Sequence, residues 1–189
     1  VREEHDSKPM NIFLVPAPPE NVKETLAKAV TFERAAKYLD HETLERLFGA
    51  LGGQIPFHCW AATEGKNSKN FELMSRGDEF LFAVTGTGQF EWRAQLRTKF
   101  ESEQLGRELW PHLGKTGNQR SRGDKPWKLI YVVDNLTKIK MNKREVLKAL
   151  GYTNPRDDLG SLRRVRDKKV INLIARFGSI DAFVRASGD

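Results

Sequence analysis

The sequence has a single cysteine, Cys59, in 189 residues. That excludes an internal disulfide framework and suits a reducing compartment, so a cytoplasmic location is expected. No apolar run approaches the ~20 residues that span a bilayer. No charged-then-apolar leader opens the chain either, so no membrane partner is expected. Residue 1 is Val rather than Met, as in a processed chain or a piece of a longer one. Internal repeats and low-complexity tracts are absent. The four histidines, His5, His41, His58 and His112, stand at no helical metal-binding spacing with a carboxylate partner. His58 and Cys59 are neighbours on a candidate strand and point to opposite faces, which rules them out as a nucleophile and its base. Cys59 reads as a small core residue. The tripeptide Gly114-Lys115-Thr116 suggests a phosphate loop, but that motif needs a glycine where Leu109 stands. No carboxylate pair stands out as acid and base. Hence no catalytic residue, metal ligand or cofactor can be named, and the domain is not expected to be an enzyme.

What is present in excess is positive charge. The net charge is +7, with an isoelectric point of about 9.6. Such a field attracts polyanions, of which nucleic acid is the commonest; a protein basic only for solubility is the rival reading. At 39% hydrophobic residues the chain has enough apolar material for a core.

The pattern predicts an α+β fold. NIFLV (Asn11–Val15) reads as a buried strand closed by Pro16, and PAPPE as a rigid turn. Helical spacing covers Glu20–Phe32, then Arg34–Phe48, with glycines 49, 52 and 53 as the stop. Pro56–Ala62 and Glu79–Val84 are strand candidates, Asn67–Leu73 a short helix, and TGTG (Thr85–Gly88) a hairpin turn. Gln89–Phe100 alternates. Phe90, Trp92, Ala94, Leu96 and Phe100 are expected on one buried face, with a polar, mostly basic face exposed. A helix over Ser102–Leu109, capped by Ser102, precedes a strand over Lys128–Val133 and a helix over Asn142–Leu150. From about Thr153 the character changes. A linker at Asn154-Pro155 leads to a helix over Leu162–Phe177 and another from Ile180. Strands in the middle and helices at the ends imply a small curled sheet or barrel with helices packed on it.

One stretch fits no core and no ordinary loop. Leu109–Trp127 reads LWPHLGKTGNQRSRGDKPW, a basic, glycine-containing run between two tryptophans. Trp60, Trp110 and Trp127 all stand at element ends beside polar loops, where pockets are built. A base held out of its stack needs π-faces on either side and donors for its edge. Ordinary core packing is the competing role, strongest for Trp92 on its alternating strand.

The blocks NIFLVPAPPENV, FHCWAATEGKNSKNFELMSRGDEFLFAVTGTGQFEWRAQL, LGRELW and KPWKLIYVVDNL, in this order, resemble EVE-type domains of the PUA-like group, which includes the YTH readers of methylated adenine. The resemblance runs over roughly Asn11–Lys140. It implies a twisted β-barrel with surrounding helices and a pocket for a modified base flipped from a nucleic-acid strand. The division implied is a flexible segment over 1–10, a base-binding domain over 11–152 and a helical extension over 153–189. By the motifs, Trp60 in CWAA is one wall with Ala61 near the base, Trp110 in LGRELW is the second wall, and Val15, Pro16 and Ala17 border the pocket. Trp127 is either rim or packing. The chain departs from its relatives in two places. Trp92 stands where they often have glycine and so reshapes the site. PAPP carries no side-chain donor where they often have a base-bonding asparagine, which leaves base identity to backbone groups or the loop. The tail VINLIARFGSIDAFVRAS is similar to part of a helix-hairpin-helix, although a capped helix pair packed on the barrel explains it equally well.

The function implied is a DNA-binding module that flips a modified base into an aromatic cage, the specificity unit of a modification-dependent restriction system with a nuclease or motor as partner. Arg93, Arg97, Lys115, Arg120, Arg122 and Lys125 are the expected phosphate contacts. An RNA-binding PUA-like module, a small hydrolase on the same scaffold and a protein-interaction domain are the alternatives.

Overall fold

The computed structural model describes residues 10–53, 55–111, 126–153 and 159–188. Six strands form one mixed sheet, β1 (Ile12–Ala17), β2 (His58–Ala62), β3 (Glu79–Val84), β4 (Gln89–Glu101), β5 (Leu129–Asn142) and β6 (Arg163–Arg164). Their order is β2-β5-β4-β3-β1-β6. β1 runs parallel to β3, and every other pairing is antiparallel. The long β4–β5 ribbon carries register shifts at Phe90/Trp92, Arg93/Gln95 and Leu96/Thr98. Each inserts an extra residue, bends the strand and increases its twist, and so the sheet curls into a half-barrel.

The eight helices are α1 (Pro19–Thr25), α2 (Phe32–Ala36), α3 (His41–Leu51), α4 (Ser68–Leu73), α5 (Glu103–Leu109), α6 (Lys143–Ala149), α7 (Asp167–Phe177) and α8 (Ile180–Ala186) among the described residues. Both faces of the sheet are buried. The concave face holds Phe13, Val15, Ala17, Trp60, Phe80, Phe82, Tyr131 and Val133, and α1 lays Val22 and Leu26 on it. On the opposite face, α2, α3 and α5 cover one end around Cys59, Ala61, Ile130 and Val132. The other end, around Leu14, Leu81 and Met141, is covered by α6, α7 and α8. None of the described helices is long and apolar enough to cross a membrane.

The α+β architecture expected from the pattern is the one observed, with several local differences. Pro16 does not close β1 but lies within it, paired with Ala83. It is tolerated because β6 reaches only Phe13 and Leu14, so the strand has a neighbour on one side only at Pro16. The helix expected over Glu20–Phe32 ends at Thr25, and Val30 instead bridges to Phe57. The helix expected over Arg34–Phe48 is two, because Asp40 caps a new start by accepting the Thr43 N–H at 2.8 Å. The strand expected to stop at Val133 runs on to Asn142, its second half polar because alternate positions face solvent. The single apolar face of β4 is divided: Ala94 and Leu96 are concave, whereas Phe90 and Phe100 join the two cores behind. Alternation assumes an unbroken ladder, and the bulges switch faces without a signal in the residue pattern. The helix expected from Leu162 starts only at Asp167. Leu162 is concave core, and Arg163–Arg164 add a strand to the sheet.

Candidate nucleic-acid interface

Three tryptophans meet at the β2 edge of the sheet, where the two cores adjoin: Trp60 belongs to the concave core, Trp110 to the core behind, and Trp127 packs against both. β2 presents Trp60 inward, directly across from Tyr131 on β5. Ser102 starts α5 by accepting the Leu105 N–H, and the helix delivers Trp110 at its end, where the Trp110 N–H donates to the Gly106 carbonyl at 3.1 Å. Trp127 stands two residues before β5. The ring centroids are 6.4 Å apart for Trp60–Trp110, 5.6 Å for Trp60–Trp127 and 5.7 Å for Trp110–Trp127. The interplanar angles of 69°, 58° and 46° make these edge or tilted contacts, not parallel stacks. Trp60 and Trp110 are each 1% exposed, whereas Trp127 is half-buried. Below them Phe13, Phe80 and Tyr131 stack in a column, at 5.1 and 4.9 Å.

Among the described residues, several buried polar atoms have no partner. Both amide atoms of Asn21, the Thr25 hydroxyl, the Trp110 Nε1–H and the Tyr131 hydroxyl are buried and have no hydrogen-bond partner among the described residues. Asn21 and Thr25 are four residues apart on α1, hence on one face of the helix. Their neighbours Val22 and Leu26 belong to the same core as Trp60. Each such buried orphan costs about 1–3 kcal/mol. Burial pushes the Tyr131 hydroxyl well above its ordinary pKa, and a charge on Cys59 would add to this, so the phenol stays neutral and can donate and accept. Burial also pushes the Cys59 thiol up, consistent with a packing role.

The expected pocket residues fall around this cluster in different ways. Val15 and Ala17 share the concave face with Trp60, and Pro16 lies half-buried between them. Ala61 turns its side chain to the opposite face, beside Cys59. Trp92 is half-buried against the concave core, with the Lys138 ammonium 5.3 Å above its ring. Asn21, Thr25 and Tyr131 were not among the expected site residues. Glu20-Asn21-Val22 stood out only as a motif, and no sequence feature shows that an amide will be buried without a partner.

The expected phosphate contacts divide as well. Arg93 donates from Nε and Nη2 to the two carboxylate oxygens of Glu79, both at 2.8 Å, and from Nη1 to Asp181. The hydrogen bonds to Glu79 are the main reason its pKa is raised. Arg97 donates to the Ala50 carbonyl and, at 3.2 Å, to Asp134. Both guanidinium groups are thus engaged inside the protein. Lys115, Arg120, Arg122 and Lys125 lie outside the described residues.

No protein-family model matches the sequence. No curated relative matches it either. The fold is similar to that of the N-terminal domain of Thermococcus gammatolerans McrB, solved bound to m5C DNA. The TM-score is 0.57 at 14% identity, over 90% of this chain and 98% of that one. Looser likenesses include a variant of the Zymomonas mobilis ASCH protein, with a TM-score of 0.46 at 11% identity over 87% and 95% of the two chains. Another is human THYN1, solved with 5-methylcytosine-containing DNA, with a TM-score of 0.41 at 15% identity over 88% and 96%. Of these three, the first is near enough to establish the fold.

Proposed function

We propose that this domain reads a modified base in DNA by taking the flipped base into the tryptophan cluster, and that it serves as the specificity module of a modification-dependent restriction system. The observation that supports the reading is the contact of three tryptophan rings beside two orphaned polar groups, the Trp110 indole N–H and the hydroxyl of Tyr131, which lies directly across from Trp60. A base brings a π-face to the rings and a donor–acceptor edge to the amide, the hydroxyls and the indole N–H. The Asn21 side chain can donate and accept at once, the combination a base edge requires. The fold neighbour that was solved on m5C DNA makes DNA the first substrate to test.

The rings touch in the free protein, so a base is admitted only if they separate. Trp127 is the ring with room to move, being half-buried while the other two are enclosed. It swings outward as the base comes in, and Trp60 and Trp110 become the walls. Val15, Pro16 and Ala17 border the site, the Ala61 backbone lies near the base, and Trp92 narrows the far side. Lys115, Arg120, Arg122 and Lys125, between the tryptophans that anchor the stretch, bind phosphates. The domain itself binds and does not cut; cleavage belongs to a nuclease or motor partner.

Stacking contributes ~1–3 kcal/mol per base, and flipping costs a few kcal/mol. The two roughly cancel, so discrimination rests on the fit of the added group, where one methyl is worth ~1–3 kcal/mol. Fluorescence anisotropy at fixed salt tests this, on one duplex unmodified or carrying 5-methylcytosine, 5-hydroxymethylcytosine or 6-methyladenine. A preference of about tenfold or more for one modified duplex is expected. Trp60→Phe keeps an aromatic ring in place while removing part of the wall, and should reduce that preference. Equal binding to all duplexes sinks the reading.

A further inference from the structure

We propose that the concave face of the outer half of β5 holds the DNA backbone beside the pocket, through Lys138 and Lys140, and that Arg144 and Lys148 on α6 take no part. This rests on the nucleic-acid reading above and adds where the strand lies.

The first support is the way charge is distributed. Arg34, Arg93, Arg97, Arg107, Lys128 and Arg164 are each paired with a carboxylate. Their charge is compensated within the protein, and drawing them to a phosphate means breaking an existing pair. Between residues 138 and 148, five cations stand against one carboxylate, Glu145. Lys138, Lys140, Arg144 and Lys148 are exposed, and no carboxylate among the described residues pairs with them. Uncompensated basic charge attracts a polyanion strongly and loses little on binding one.

The second support is geometry. Lys138 and Lys140 are two residues apart on a strand, so they share a face. It is the concave face, because Lys138 sits over Trp92, which packs on the concave core, while Ile139 and Met141 turn to the core behind. Arg144 and Lys148 are four apart on α6, turned away from Val146 and Leu147, which pack on the core behind the sheet, so they stand on the other side from the lysine pair. Asn142 joins strand to helix rigidly. Its side chain accepts the N–H groups of Arg144 and Glu145 at 2.9 and 3.2 Å, and the Lys143 N–H donates to the Gly88 carbonyl at 2.9 Å. The cations therefore ride on fixed elements. Lys138 is seven residues along β5 from Tyr131, at most ~23 Å at ~3.3 Å per residue. That is within the ~34 Å of one duplex turn, so one bound duplex reaches both.

The test compares the full chain with the double variant K138Q/K140Q. Two controls remove the same charge elsewhere: R144Q/K148Q from α6 behind the sheet, and K37Q/R46Q from exposed positions on the α2–α3 side. Binding to unmodified and 5-methylcytosine duplexes is measured over a range of salt. K138Q/K140Q should lower the slope of log K against log salt by about 0.9 for every phosphate that is no longer neutralised. It should weaken both duplexes by the same factor, while the two controls leave the slope unchanged. An equal effect of either control would reduce the lysine pair to net charge and overturn the proposal. So would an unchanged slope in K138Q/K140Q. If the slope falls as expected but the wild type shows no preference for a modified base, the lysine pair stands and the pocket reading fails. If preference persists with the slope unchanged, the reverse holds. Displacement of the duplex by RNA of equal length at lower concentration would overturn DNA as the source of the phosphates.

Discussion

A methyl group added to the Cα of Gly106 would lie 2.3 Å from the backbone oxygen of Trp127. No real Cβ tolerates such an approach, so the absence of a side chain on α5 is what lets the Trp127 backbone close against it. The two ends of the stretch between Trp110 and Trp127 are therefore fixed at the same place, by ring contact and by backbone contact. Gly→Ala inside a helix ordinarily stabilises by up to ~1 kcal/mol. Gly106→Ala should do the opposite, destabilising by about 1–3 kcal/mol through overpacking. It should also push Trp127 outward, shifting tryptophan emission to the red and reducing preference for the modified duplex. A denaturant melt with emission spectra, together with anisotropy on the two duplexes, checks all three effects, and a variant as stable as the wild type would remove Gly106 from this role.

The buried ion pair behind β4 should matter for stability and not for recognition. Glu79 is 1% exposed and accepts from Arg93 and from Gln95 Nε2. Glu79→Gln leaves the Arg93 guanidinium, 18% exposed, with Asp181 as its remaining carboxylate, so the loss should fall below the ~3–5 kcal/mol of a fully buried pair. The variant should unfold at clearly lower denaturant concentration. In its folded fraction the ratio of modified to unmodified binding should be unchanged, as measured by anisotropy well below the melting point.

The order of elements was legible in the sequence because runs such as EFLFAV and caps such as Ser102 act locally. β3 falls where its apolar run and the flanking turns placed it, Glu79–Val84. Cross-strand relations were not legible. Bulges in β4 send Phe90 and Phe100 behind the sheet with no mark in the residue pattern. The tryptophans could be picked out as unusual, since large aromatics beside a basic loop are conspicuous in a sequence. The partners of Arg93 could not, because Glu79 and Asp181 reach it only through the fold. The same holds for Asn21, whose burial without a partner depends on α1 lying across the concave face.

The link between Arg93 and α8 gives a pH dependence with a definite sign. The hydrogen bond and charge of Arg93 hold the Asp181 carboxyl below its ordinary value. A carboxyl with a depressed folded-state pKa contributes stability that is fully present above its unfolded pKa, about 3.9. That contribution is lost as pH falls through the lower, folded value. Asp181→Asn should therefore melt below the wild type at neutral pH, and the gap should narrow as pH drops below about 4. Asp181 is largely exposed, so the gap should be small. Thermal melts of both proteins from neutral pH down to the acid limit of folding read it directly. A gap that widens in acid would contradict the pairing.

The unpartnered atoms on α1 set stability against function. If Asn21 and Thr25 wait for a base edge, the free protein bears the cost of burying them, about 1–3 kcal/mol for each orphan. Removing the polar atoms while keeping the volume should relieve that cost. Asn21→Leu and Thr25→Val are therefore expected to raise the melting temperature by about 2–4 °C per kcal/mol recovered, the scaling for a domain of this size. Asn21→Leu should also abolish preference for the modified duplex while leaving the salt dependence of binding intact, because it touches the base edge and no phosphate. A packing role for Asn21 predicts the opposite pattern, a lower melting temperature with preference retained. Gain of stability with loss of discrimination is the signature of a site kept for a ligand, and one melt with one anisotropy series on Asn21→Leu decides between the two.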